Sequence, residues 1–469
     1  LAGNPVSDKL MHHIFYAVWL KNSCAAHLHF NMELKKALRE KKLEAKLKRF
    51  DHHKSHAVAA YYTSGFDKAL VLTLDAYGSG LAGSVWLGEA GMVRKVAAFR
   101  YPNSLGLFYE TLTSSLGFKP NRHEGKIVGL AAYGDPHILH DTVISRFRLK
   151  DGDFRYINGC NYLFLKNIST KFSKQNIASA YQSVLEEIMS GVTEYFSAKF
   201  GIENVAISGG VTANVKLNQR IFETKGIKNI FIFPDMGDGG TCVGGALMPF
   251  VEKGLKPYRL KDVYFGPEYS EPEMRKCLEE AGLNYERVDN IERRIAELLA
   301  QNKIVARFDG RMEFGPRALG NRSVMYQAKD PGINQWLNKQ LGRTEFMPFA
   351  PVTLYEKRDM CYKNIEGAEY AAEFMTITCD CTSWMSKNCP AAVHVDNTAR
   401  PQLIKRETNP GYYKILEEYY KLTGIPTVIN TSFNMHEEPI VCTPFDAIRA
   451  FKLGKLHYMA MGNFLIQGE

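Results

Sequence analysis

Three stretches of this chain share one grammar: an apolar run, then a turn rich in glycine. "KALVLTLDAYGSG" (68–80) reads as a buried strand reaching Asp75 before its glycine turn. "ENVAISGGVTANVKLNQRIF" (203–222) and "KNIFIFPDMGDGGTCVGGALMPF" (228–250) repeat the pattern and continue into helices. Gly239, Gly240, Gly244 and Gly245 allow helix and strand to approach closely. Apolar strands that alternate with helices predict an α/β fold. "ASAYQSVLEEIMSGVTEYFSAKF" (178–200) predicts a long amphipathic helix between two of them.

A single core does not grow to 469 residues, so two domains are expected. The polar stretch "EKGLKPYRLKD" (252–262), with its Gly and Pro, marks the boundary, giving domains 1–255 and 256–469. Past it the chain alternates helix and strand again. "MPFAPVTLYE", "AAVHVDNTARPQ" and "GIPTVINTSFN" each bring an apolar run up to a polar cluster. This predicts a second α/β unit with a site of its own.

The net charge of +9 suits anionic partners such as nucleotides and phosphates. The dense basic stretch "KKALREKKLEAKLKR" (35–49) reads as one face of an amphipathic helix lined by Leu34, Leu38, Leu43 and Leu47. That makes it a solvated face rather than a nucleic-acid site. No apolar run reaches membrane-spanning length, and no signal-peptide pattern opens the chain. The chain starts at Leu1 without methionine, and an incomplete N-terminal part is expected. Nine cysteines without a CxxC pair fit a reducing, cytoplasmic setting. Cys379, Cys381 and Cys389 with His394 offer zinc donors at irregular spacing, for which plain free thiols are the simpler reading.

"DHHKSHAVAAYY" (51–62) places His52 and His56 one helical turn apart, with His53 on another face. Two imidazoles on one face can chelate a metal. Asp75 and Asp238 lie at strand-to-helix turns, where ligands gather in open α/β sheets. Together the four would form a nitrogen–oxygen site suited to Fe(II), Mn(II) or Zn(II). "SGGVTAN" (208–214) sets Gly209, Gly210 and Asn214 after a strand, where backbone N–H groups can meet a phosphate. "RHEGKIVGLAAYG" (122–134) adds Lys126, a phosphate candidate or the partner of Glu124. "RMEFGPRALGNRS" (311–323) packs three arginines, two glycines and a proline into thirteen residues. Arginine forks match phosphate and carboxylate oxygens, so this loop predicts an anion site, with Arg317, Arg322, Arg343, Arg400 and Asn430 as its candidates.

These stretches, with "EGKIVGLAAYG", "GDGGTCVGGAL", "MPFAPVTL", "HVDNTARPQ" and "PTVINTSFNMHEEPIV", resemble the O-carbamoyltransferases of antibiotic and nodulation-factor biosynthesis. The resemblance runs from about residue 50 to the end of the chain. It implies an actin-like ATPase (ASKHA) domain, related to the enzyme that makes threonylcarbamoyladenosine on tRNA, followed by a YrdC-like α/β domain. It also implies that ATP, with Mg, and carbamoyl phosphate form carbamoyladenylate in the second domain. The carbamoyl group then passes to a hydroxyl of a small natural product in the metal-containing first domain. Carried over by motif, His52, His56, Asp75 and Asp238 are the metal ligands, with Fe(II) preferred. Asn214, Gly209 and Gly210 contact the adenylate, and Arg317, Arg322, Arg343, Arg400 and Asn430 hold carbamoyl phosphate and ATP. Lys126 and His53 are the catalytic candidates, His53 as proton acceptor from the alcohol.

The chain departs from the family pattern in "LNKQLGRTEFMPFAP" (337–351), where Leu341, Gly342 and Met347 stand in place of an expected lysine and arginine. Lys339 is the nearest substitute. A homodimer is allowed for; no membrane or nucleic-acid partner is expected. Two other readings compete: a tRNA threonylcarbamoyl-type transferase, and a non-catalytic ATP-binding interaction protein.

Overall fold

The computed structural model describes the backbone of residues 5–157, 161–342 and 346–468. Two sheets organise it. The strand Lys68–Gly78 is the centre of the first. Its order is Met92–Arg100, Leu81–Glu89, Lys68–Gly78, Asn204–Ser208 and Asn229–Ile232. The first three strands are an antiparallel meander, and the last two run parallel to the central one.

Burial on both faces explains why the central strand is apolar from Ala69 to Leu72. Leu70, Leu72 and Leu74 face one core with Phe108, Leu112 and Ile177. Ala69 and Val71 face the other, against Ala57–Tyr62 of the helix His52–Ser64 and Phe231. The long helix Lys174–Phe200 starts at Ser173, whose hydroxyl accepts from Asn176 N–H, and ends at Gly201 in the left-handed region.

The second sheet has eight strands in the order Gln402–Ile404, Ala350–Leu354, Thr427–Ser432, Arg322–Gln327, Val305–Phe308, Tyr458–Met461, Phe464–Gln467 and Glu286–Arg287. It is mixed: the pair Ala350–Leu354 with Gln402–Ile404 and the pair Val305–Phe308 with Tyr458–Met461 are parallel, and the rest antiparallel. The segment after residue 252 does not hang free between the sheets. Tyr258 N–H donates to Tyr62 O, Leu260 N–H to Thr63 O, and the Tyr370 hydroxyl reaches both Thr63 O and Leu260 O.

One predicted element differs. The helix expected over 35–49 is the end of a longer helix, Pro5–Glu40, and stops there. Lys42 takes φ +55, and a short helical turn at Glu44–Lys46 follows. Leu43 and Leu47 are exposed rather than packed. None of the described helices is long and apolar enough to cross a membrane.

The histidine helix lies against the helix Thr241–Val251 through glycine. A Cβ on Gly244 would sit 1.9 Å from Ser55 O. Gly244→Ala should therefore destabilise the protein by roughly 3 kcal/mol through overpacking, read as a lower urea midpoint with unchanged slope.

Candidate functional site

The first site begins at a helix cap. The Asp51 carboxylate accepts from Lys54 N–H at 2.8 Å and starts the helix at His52. His52 and His56 then share a face, their ring centroids 4.7 Å apart. Asp75 approaches from the central strand: its Oδ2 lies 3.1 Å from His52 Nε2 and 3.4 Å from His56 Nε2. Asp238, in the turn after Asn229–Ile232, brings its Oδ1 to 3.7 Å from both. One donor atom from each of the four lies within 4.8 Å of all the others.

The surrounding groups set the tautomers. Ser208 Oγ lies 3.3 Å from Met236 O and donates to it, so it accepts from His56 Nδ1–H at 2.9 Å. His56 therefore turns its buried Nε2 toward the two carboxylates, 3.4 Å from Asp75 Oδ2 and 3.7 Å from Asp238 Oδ1. Burial raises the Asp75 pKa, but hydrogen bonds to His52 and His56 outweigh it and hold the carboxyl well below the usual range. Burial disfavours the charged form of His56, yet Asp238 and Asp75 together raise its pKa. Two imidazoles and two carboxylates around one point fit a divalent cation of intermediate softness.

His53 is not placed to act as a base. It is fully buried, with Nδ1 against Thr73 Oγ1 at 2.9 Å and Nε2 on Leu81 O at 3.2 Å. Both nitrogens are occupied, and burial pushes its pKa down to about 4. Asn214 is likewise spent: its Oδ1 caps the helix Val215–Phe222 at Leu217 N–H, and its amide exchanges hydrogen bonds with Gln182. Gly209, at φ +105, gives its N–H to Met236 O, and a Cβ there would strike Leu74 O. Its role is to turn the chain, not to bind phosphate. Gly210 sits beside the Asp75 carboxylate.

The second site is a cavity of about 660 Å³ lined from both halves of the chain. Lys126 and Arg122 enter it from the first half, and Arg317, Arg400 and Asn430 from the second. Lys126 is buried there. The Asn430 amide nitrogen donates to Ala318 O and Gln402 Oε1, leaving a buried Oδ1 without a partner.

The arginine loop is built on a residue the sequence did not single out. One oxygen of the buried Glu313 accepts from the N–H groups of Leu319, Asn321 and Arg322. Of the loop's three arginines, only Arg317 lines the cavity. Arg311 donates to Gly266 O and Phe265 O. Arg322 is fully buried, its guanidinium on the carbonyls of Asp309, Asn321, Pro267 and Gly310 and over the Phe308 ring. Its predicted place in the anion site is thus corrected to that of a structural clamp. Lys339 is exposed and does not line the cavity. Arg343 lies outside the described residues.

At the cavity wall His123, His436 and Glu437 also bring three donors within 4.8 Å. Lys119 N–H donates to His123 Nδ1, which leaves the ring proton on Nε2, 3.6 Å from Glu437 Oε1. This is a contact between halves, with no lone pair from His123 to offer a metal. The thiols of Cys379, Cys381 and Cys389 are buried, and burial raises the pKa of each. They form no metal-ligand group with His394 among the described residues.

Residues 8–247 match the family described as carbamoyltransferase N-terminus, and residues 296–468 match carbamoyltransferase C-terminus. The chain belongs to the carbamoyltransferase family. An uncharacterized protein of Methanocaldococcus jannaschii is 34% identical over 94% of this chain and 76% of its own length. Nodulation protein NolO of Bradyrhizobium diazoefficiens is 32% identical over 89% of this chain and 78% of its own. The crystal structure of HypF from T. kodakarensis aligns with 46% of this chain and 40% of its own, at 18% identity and a TM-score of 0.28. This carbamoyltransferase is therefore an enzyme, and it carries two polar sites, the histidine–carboxylate cluster and the cavity shared by both halves.

Between pH 6.5 and about 4 the unfolded chain protonates His53 while the folded chain keeps it neutral. Its contribution to stability is present above pH 6.5 and is lost as pH falls, by roughly 3 kcal/mol in all. Urea unfolding at pH 7 and pH 4.5 should show a smaller loss in His53→Gln than in wild type; equal losses would contradict a neutral His53.

Proposed function

We propose that this carbamoyltransferase uses ATP and carbamoyl phosphate to make carbamoyladenylate, then transfers the carbamoyl group to a hydroxyl of a small natural product. The observation that carries it is the shared cavity, where Lys126 of one half faces Arg317, Arg400 and Asn430 of the other. Both substrates are multiply anionic, and arginine forks with a buried ammonium match them. In the first step water releases phosphate from carbamoyl phosphate, and the carbamate oxygen displaces pyrophosphate from ATP. In the second an alcohol oxygen attacks the carbamoyl carbon, AMP leaves and the hydroxyl proton is released. An acyl adenylate hydrolyses readily, so a cavity closed by both halves shields it.

We assign the first half, 1–255, to an actin-like (ASKHA) domain and the second, 256–469, to a YrdC-like domain. His52, His56, Asp75 and Asp238 would hold the divalent cation, with Fe(II) ahead of Mn(II) and Zn(II). Such a cation supplies Lewis acidity near the leaving phosphate or carbamoyl oxygen. Ser208 orients His56 for that role. The described cysteines are all free, which supports a reducing, cytoplasmic setting.

Pyrophosphate should appear only when ATP and carbamoyl phosphate are both present; its absence would sink the reading. Arg317→Ala should slow that release about a hundredfold. His56→Ala should leave it near wild type while weakening metal binding about a hundredfold, measured by metal content after dialysis. Full metal retention in His56→Ala would exclude this ligand set.

A further inference from the structure

A smaller chamber, about 180 Å³, adjoins the anion cavity; Val128 and Met347 line both. Its walls again come from the two halves: Gln182, Glu186 and Lys216 on one side, Thr378, His394 and Asp396 on the other. His394 is more than nine-tenths buried. Its Nδ1 faces Asp396 Oδ1 at 3.5 Å, and Lys216 Nζ holds the other carboxylate oxygen at 2.9 Å. Burial raises the Asp396 pKa, but His394 and Lys216 pull it far below the usual carboxylate range, so Asp396 carries no proton to give. The His394 proton therefore sits on Nδ1, and Nε2 presents a lone pair. That buried Nε2 has no hydrogen-bond partner.

An unused acceptor enclosed beside a carboxylate, an amide and an ammonium is built for a ligand rich in hydroxyl groups. Within a nucleotide the sugar is bonded directly to the phosphate. A polar chamber that shares two wall residues with the proposed anion cavity is placed to take that sugar.

We propose that this chamber is the ribose subsite of the adenine nucleotide, with His394 Nε2 accepting a hydrogen bond from the vicinal diol and Asp396 positioning the ring. The assignment rests on the ATP-using reading above. It makes His394 a specificity residue contributed by the second half to a nucleotide also walled by the first.

The test is calorimetric titration of the full chain with AMP and with 2′,3′-dideoxy-AMP. Wild type should bind AMP at least about tenfold more tightly, the factor for one lost hydrogen bond in a buried site. His394→Gln, checked for an unchanged melting temperature, should erase most of that preference, and Asp396→Asn should reduce it. Equal binding of the two nucleotides by wild type, or no binding of AMP, would overturn the subsite. So would an undiminished preference in His394→Gln. Pyrophosphate release by wild type is measured alongside. Release with no diol preference removes this inference alone; a diol preference without release upholds it and removes the proposed reaction.

Discussion

The Asp75 carboxylate is the hinge of the arrangement. It lies where the buried run of the central strand gives way to more open positions, and both His52 and His56 converge on one of its oxygens. For the histidines to arrive there, their helix must lie close to the sheet and to Thr241–Val251, which Gly244 permits. For Asp75 to stay ionised so deep in the fold, it must keep those imidazoles beside it. Fold and site therefore constrain each other: the same packing that buries the strand aims its carboxylate.

Much of this was legible in the sequence. The strand–glycine pattern located three of the five strands of the first sheet, and helical spacing singled out His52 and His56. Local pattern ran out where a residue's role depends on where its partners lie. His53 looks like a free base until Thr73 and Leu81, distant in sequence, claim its two nitrogens. Asn214 looks like a ligand contact, but a helix N-terminus uses it first. Arginine content marked 311–323 as an anion loop, yet composition does not say which guanidinium faces the cavity; Arg311 and Arg322 donate to backbone carbonyls instead. Leu43 and Leu47 kept helical spacing past the point where Lys42 turns the backbone.

The two sites divide the electrostatic work. The first gathers carboxylates and imidazoles, a place for positive charge. The second gathers guanidinium and ammonium groups from both halves, a place for negative charge. Contacts such as Tyr370 with Thr63 and Leu260 join the segments that carry these sites. In the proposed reaction the unstable intermediate is made between two surfaces of one molecule rather than released into water.

Glu313 has a consequence for how such an enzyme meets its guests. With three amides anchored to one buried oxygen, the loop has its working shape before any anion arrives. Its entropy was surrendered during folding, together with the rest of the core. On the proposed reading, a phosphate entering there encounters a finished mould, and recognition becomes a question of fit and charge rather than of persuading a flexible segment to close.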